Sequence, residues 1–483
     1  MSPILLLAFV LAYFLLLLGV AWLSSRGADN DSFFIGNKNS HWMLVAFGMV
    51  GTSLSGVTFI SVPGAVGATA FSYFQIALGQ FIGYFVIAYV LLPLYYRLNL
   101  SSIYAFLNTR LGPRAYQTGA GFFMVSRTLG ATARLYLVVR ILQELILERL
   151  GLPFWLTAAV ILLMIVLYTF EGGVKTIVWT DTLQTSGMLL GLVICVIYLL
   201  RGLDLSLGQS LQQLDDAGLS TIFVTDPNSR FFFAKQILAG MFISIAMTGM
   251  DQEMMQKNIS VKRLADSQKN MLTLSVIMLG VVLLFLFLGG LLQLYAQQQG
   301  MGERGDQLFA AVVLGHLPAW VQLVFVIALI SALFPSADGA ITALTSSFCI
   351  DLLGLQRRGD WSEKRRTAVR RRVHLGFAVV FLALVLVFRW VDNPSMIGLI
   401  LKLAGYTYGP LLGLFAFGLL TRRQPRDGWV PAVAVLAPAL CWLLDSRQQQ
   451  LFGGYEIGLE LLLLNGALTF AGLWLISKRG AHR

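Results

Sequence analysis

Apolar residues come along this chain in long blocks, many of about 18 residues or more, separated by short polar stretches. Blocks of that length are what a helix needs to cross the hydrocarbon core of a bilayer. A hydropathy window predicts about thirteen spans, at 3–24, 42–69, 72–96, 117–148, 154–171, 178–200, 231–251, 270–294, 308–350, 374–391, 395–420, 428–446 and 456–477. Several are long enough to be tilted or broken. The second carries GTSLSG at 51–56 in the middle of an otherwise apolar run. A spanning helix satisfies its own backbone, so a loosened segment survives at membrane depth only where its freed carbonyls and amides meet protein, water or a ligand. Either a polar group is held there, or the small residues only let helices approach closely and bond across their interface.

Composition agrees with an all-α integral membrane protein: 57% of residues are apolar and only 12% charged, far from a soluble domain. The first block, PILLLAFVLAYFLLLLGVAWL, lacks a basic leader and a small-residue cleavage site and is too long for the apolar region of a signal peptide, so it is expected to stay as a helix. Cys195, Cys349 and Cys441 sit in or beside apolar blocks without metal spacing and read as packing residues. The four histidines, His41, His316, His374 and His482, are scattered, which argues against a zinc site or paired haem ligands. No phosphate-cradling GxxxxGK[ST] occurs, so ATP hydrolysis is not expected. The two sizeable aqueous segments, 201–230 and the basic loop near 356–372, are too short to bury a core of their own.

Charge fixes the expected orientation. With the N-terminus outside, the inner loops and tail collect about 24 of the 35 Lys and Arg and the outer loops and their flanks about 8, with Arg127, Arg134 and Lys402 inside spans. The run QRRGDWSEKRRTAVRRR from Gln356 reads as a topology signal between two spans rather than a nucleic-acid patch, and the net charge of +11 has the same origin. Plasma membrane or bacterial inner membrane is the expected location, the C-terminus cytoplasmic.

Polar residues inside the spans carry the chemistry. Asp181 stands in VWTDTLQTSG near the inner end of the sixth span, and Asp338 lies deep in the ninth within SALFPSADGAITALTSSF. Ionisable groups at such depth face the bundle interior and mark ion or substrate paths, or pair structurally. Hydroxyl and carbonyl oxygens with few full charges suit a small hard cation such as sodium. Positions 332, 335 and 336 share one helix face, and GTSLSG can offer carbonyls opposite it.

In order along the chain, FFIGNKN, GTSLSG, VPGAVG, ARLY at 133–136, FEGGVKTIVWTDTLQ at 170–184, TGMDQEMMQKN at 248–258, ADGAITALTSSFCIDLL and GYTYGPLLGLF at 405–415 resemble the sodium/solute symporter family, which includes sodium-coupled proline, sugar, sialic acid, monocarboxylate and vitamin carriers. The resemblance implies a LeuT-type core of two inverted five-helix repeats, spans two to six and seven to eleven, with the second and seventh broken at mid-membrane. It divides the chain into a peripheral helix at 1–24, a transport core at 42–421 and two peripheral helices with a short tail at 428–483. From the residues alone, the interruption of span two and the MTGMD break ending span seven already occupy corresponding positions in the two halves.

The resemblance also implies a principal sodium site built from the carbonyls of Gly51, Leu54 and Ala332 and two adjacent hydroxyls at 335 and 336. Ser336 fits. Position 335 is proline, which has no hydroxyl, so the site is one ligand short unless water, Ser331 or Asp338 replaces it. Some relatives join the aspartate matching Asp181 to the ninth span in a second cation site, and Asp338 falls where a hydroxyl would stand; the two acids fit a second sodium ion or a shared proton. Solute contacts by the same matching are Ser53, Ser55 and Thr58 on span two, Gln75 and Gln80 on span three, and Ser244, Met247 and Thr248 on span seven. For Arg127 and Arg134 on span four, one facing the cavity would clamp a substrate carboxylate; the alternative for each is to snorkel or to pair with a structural acid such as Asp181. A sodium-coupled carrier of a small polar organic solute by alternating access is expected, with no enzymatic activity and no nucleic-acid partner. A proton-coupled carrier of the same fold is the alternative. A channel fits less well, since no TVGYG-type carbonyl filter occurs.

Overall fold

The protein is described by a computed structural model covering residues 3–26, 30–170, 173–357, 360–390 and 396–478. Nearly all of it is helix. In chain order the principal helices are α1 (Pro3–Ser24), α2 (Trp42–Ser53), α3 (Gly56–Thr69), α4 (Tyr73–Arg97), α5 (Pro113–Leu142), α6 (Phe154–Thr169), α7 (Val174–Gly202), α8 (Phe233–Gly249), α9 (Gln252–Ile259), α10 (Leu264–Gln299), α11 (Ala319–Leu352), α12 (Glu363–Phe388), α13 (Met396–Thr407), α14 (Gly409–Leu420), α15 (Val430–Ser446) and α16 (Leu461–Leu475). Eight helices are long and apolar enough to cross a membrane singly, and the bent pairs α2–α3, α8–α9 and α13–α14 raise the number to as many as eleven. Large apolar side chains face outward along α1 (Ile4, Leu15, Leu16), α7 (Leu190, Ile197), α12 (Val379) and α15 (Val435, Leu436), which suits a surface solvated by lipid. Cys195, Cys349 and Cys441 are buried and unpaired.

Both expected breaks are present, and each has a local cause. At the first, Leu54 (φ −96°, ψ 79°) and Ser55 (φ −68°, ψ 171°) leave helical geometry, and α3 departs at 56° from the axis of α2. At the second, Met250 and an extended Asp251 (ψ 124°) turn the chain by 65° into α9. Three boundaries differ from the sequence reading. Residues 252–259, expected in an inner loop, form the fully buried half-helix α9, because its charged residues find partners inside the protein. The ninth apolar block is cut before Pro318, which starts α11 afresh. A third bend, of 43°, falls at Tyr408 just before Pro410. That proline lacks the amide that would reach the Tyr406 carbonyl, and Asn465 Nδ2 on α16 donates to it instead at 2.8 Å.

The broken pair α2–α3 lies against α7 and α11, while α4 packs along α8 and α10. The two breaks therefore face the same interior, with α5 beside them.

Candidate functional site

The two breaks treat their free backbone groups differently. At the second, Tyr95 and Tyr104 donate to the carbonyls of Gly249 (2.8 Å) and Met250 (3.0 Å), and Asp251 Oδ1 accepts from the amides of Glu253 (2.9 Å) and Met254 (3.3 Å), capping α9. At the first, Leu54 N–H still reaches the Val50 carbonyl at 2.8 Å, but no donor among the described residues serves the carbonyls of Gly51 to Leu54. Buried carbonyls are nearly always paired, so four open ones at one turn mark a place for a ligand.

Glycine at 51 lets that turn sit close against its neighbours. A methyl group there would collide with Thr185 Oγ1 on α7 and lie 3.6 Å from the Pro335 ring on α11. A methyl on Gly56 would lie 3.7 Å from the Leu333 backbone, so the open turn faces residues 333–335 of α11. Leu54, Ala332 and Ser336 are all buried there. The Ser336 hydroxyl donates to the Leu333 carbonyl at 2.8 Å, which leaves its oxygen lone pairs for another partner. Neither side chain considered as a substitute for a hydroxyl at 335 points that way: Ser331 donates to Tyr13 on α1 at 2.7 Å, and Asp338 Oδ2 accepts from Tyr168 on α6 at 2.6 Å. Thr185 Oγ1 does lie beside Gly51, buried and with no hydrogen-bond partner among the described residues. Sequence reasoning passed over it, since its relation to Gly51 crosses more than a hundred residues.

A cavity of about 90 Å³ opens beside the break. Ser53, Ser55, Thr58, Gln80, Arg127, Arg134, Ser244, Met247 and Thr248 line it, together with Tyr73, Tyr84, Met254 and Met278, which sequence reasoning missed. Gln75 does not: its amide donates to the carbonyls of Ser72 (3.0 Å) and Phe231 (3.2 Å) and accepts from Val224 N–H (3.3 Å), pinning the outer loop instead.

The two arginines of α5 differ. Arg127 pairs with Glu253, and its second nitrogen lies 3.8 Å from Asp251, whose Oδ2 also accepts from Tyr408 at 2.6 Å. A side chain on Gly339 would collide with Glu253 Oε1, so the glycine makes room for that carboxylate. Arg134, by contrast, makes no ion pair among the described residues and lines the cavity. Asp181 pairs with neither arginine. Its Oδ2 accepts from Lys257 Nζ at 2.7 Å and from Thr52 at 3.2 Å.

Two breaks facing one interior, an open turn fit for a small cation and a polar cavity beside it define a secondary active transporter. Residues 33–434 match the sodium:solute symporter family, and the chain belongs to it. It is a multi-pass membrane protein that couples sodium to the movement of a small-molecule solute. Among its relatives are the sodium/sialic acid symporter NanT of Aliivibrio fischeri, 21% identical over 93% of this chain and 89% of that one, and human sodium-coupled monocarboxylate transporter 1, 25% identical over 83% and 67%. A substrate-bound, outward-open sodium-coupled sialic acid symporter has the same fold, with a TM-score of 0.84 at 18% identity over 98% of this chain and 99% of that one. Mhp1, a nucleobase-cation-symport-1 family transporter, aligns with a TM-score of 0.60 at 14% identity over 93% and 94%. The fold is thus the LeuT type shared by those transporters.

Proposed function

We propose that the protein carries a small polar solute bearing a carboxylate, inward with sodium. The open carbonyls of Gly51 and Leu54, the Ala332 carbonyl and the Ser336 hydroxyl hold the ion, and Thr185 Oγ1 supplies the oxygen that Pro335 lacks. The observation that carries the proposal is the first break itself: protein donors reach the Gly249 and Met250 carbonyls at the second break, and none reaches the carbonyls of Gly51 to Leu54 among the described residues, where Ala332, Ser336 and Thr185 lie close by. All five oxygens are neutral and hard, the set a sodium ion takes. Ser336→Ala and Thr185→Val each remove one such oxygen at small change in volume. Each is expected to raise the sodium concentration for half-maximal thermal stabilisation of the purified protein by about tenfold, equivalent to about 1.4 kcal/mol. Unchanged sodium dependence in both folded variants would sink the assignment.

Arg134 is the proposed carboxylate anchor, because a guanidinium without a partner in a buried cavity awaits an anion and binds a carboxylate through two parallel hydrogen bonds. The relatives named for sialic acid and monocarboxylates carry solutes with that group. Ser53, Ser55, Thr58, Gln80, Ser244 and Thr248 meet the solute's other polar groups, and Met247 its apolar face. The solute crosses chemically unchanged.

Thirteen spans follow if α6, α16 and each bent pair cross the bilayer along with the eight long helices. The peripheral segments 1–24 and 428–483 then flank the core at 42–421, and the N-terminus lies outside. Ser362→Cys, in the basic loop, is expected to react with an impermeant thiol reagent only after the membrane is opened. Labelling from outside in intact cells would reverse the topology.

A further inference from the structure

Lys257 is the one lysine whose ammonium is placed among buried acids at the heart of the described molecule. Its side chain is 3% exposed, and its Nζ lies 2.7 Å from Asp181 Oδ2, 2.7 Å from Thr52 Oγ1 and 3.6 Å from Glu253 Oε1. These three oxygens come from three separate pieces of the core: α7, the open turn of the first break, and α9 just beyond the second. A carboxylate, a hydroxyl and a second carboxylate at such distances are a cation's ligands, and the cation here is covalently attached.

We infer that Lys257 is a tethered cation occupying the place at Asp181 where a second sodium ion would bind, so that each cycle takes up one sodium ion only. Two like charges about 4 Å apart repel by several kcal/mol at the effective dielectric of a protein interior, so a sodium ion cannot join the ammonium at Asp181 Oδ2. The anchoring geometry is fixed from both ends. Glu253 and Lys257 are one helical turn apart on α9, and Thr52, which receives the ammonium, passes its own proton toward Asp181. Because the ammonium bonds to Thr52 inside GTSLSG, it also ties the open turn to α9 across the two breaks. The assignment rests on the sodium coupling proposed above and sets its stoichiometry. Asp338 stays outside this arrangement, held by Tyr168.

The test uses the purified full-length protein. Equilibrium binding of radioactive sodium to the wild type is expected to give one ion per chain, lost in Ser336→Ala at moderate sodium and retained in Asp181→Asn. Two ions per chain, one of them lost in Asp181→Asn, would overturn the inference. Removing the ammonium should open the site. Lys257→Ala is expected to be less stable than the wild type in choline chloride and to recover in sodium chloride with a steeper sodium dependence, its Hill coefficient rising from about one toward two. The charge-free double variant Lys257→Met/Asp181→Asn should return to the single-site curve. A Lys257→Ala protein whose sodium dependence matches the wild type, or which sodium does not restore at all, contradicts the inference. A wild type without any sodium response beside a Lys257→Ala variant that has one would defeat the principal site and still support the tethered cation.

Discussion

Arg134→Gln is expected to lower the affinity for a carboxylate solute by on the order of a hundredfold and to leave sodium-dependent stabilisation of the purified protein unchanged. Arg134 lines the cavity and makes no ion pair among the described residues, so a bound carboxylate is expected to make a pair of charge-assisted hydrogen bonds that glutamine cannot reproduce. Losing that pair costs about 3 kcal/mol, and each 1.4 kcal/mol is tenfold in affinity. The sodium ligands proposed here, on α2, α7 and α11, do not include Arg134, which is why ion binding survives. Arg134→Lys keeps the charge but not the planar fork and should fall between the two. The measurement is solute concentration dependence of uptake in proteoliposomes at saturating sodium. An Arg134→Gln variant with wild-type affinity would move the anchor elsewhere and remove the reason for expecting a carboxylate.

Glu253→Gln is expected to destabilise the protein by about 2–3 kcal/mol, the cost of removing a charge-assisted hydrogen bond from a buried guanidinium. Glu253 lies between two cations, Arg127 and Lys257, and each has a second acid, Asp251 and Asp181. The variant thus takes from Arg127 the nearer of its two acids, leaving Asp251 at 3.8 Å, and leaves Lys257 to Asp181. Replacing both members of the closer pair, as in Arg127→Leu/Glu253→Leu, should restore part of the loss, because the guanidinium that lost its nearer acid is gone and Asp251 keeps the Tyr408 hydroxyl. Thermal midpoints in detergent read this directly. A midpoint unchanged in Glu253→Gln would mean that the network does not hold the second break.

How far these features were legible depends on the range over which their cause acts. GTSLSG pointed to the first break because its cause is local: small and hydroxylated residues gathered within one turn leave either a loosened backbone or a close helix approach, and both focus attention on the same spot. The cavity-lining serines and threonines of both breaks came from the family resemblance rather than from the local pattern. The half-helix α9 was not legible as membrane-buried structure. Asp251, Glu253 and Lys257 depress local hydropathy, and what lets them be buried is supplied by Arg127, Asp181 and Tyr408, each some 70 or more residues away. One signal was available, since Glu253 and Lys257 stand at helical spacing straight after a break that needs a second half. Pro335 was visible as a departure, but Thr185 beside it was not, because only the tertiary approach of α7 to Gly51 brings that hydroxyl near. Gln75 and Gln80 look alike in sequence and part company only when the outer loop folds back on one of them.

The most direct measurement is uptake of radiolabelled small carboxylates into proteoliposomes containing the purified protein, with an inward sodium gradient, with equal sodium on both sides, and with choline replacing sodium. Accumulation above the outside concentration in the first condition, equilibration only in the second, and neither in a Ser336→Ala protein at low sodium is the expected result. Accumulation that persists in choline, or solute entry that never exceeds equilibration whatever the gradient, would contradict sodium-coupled transport through the open turn at Gly51.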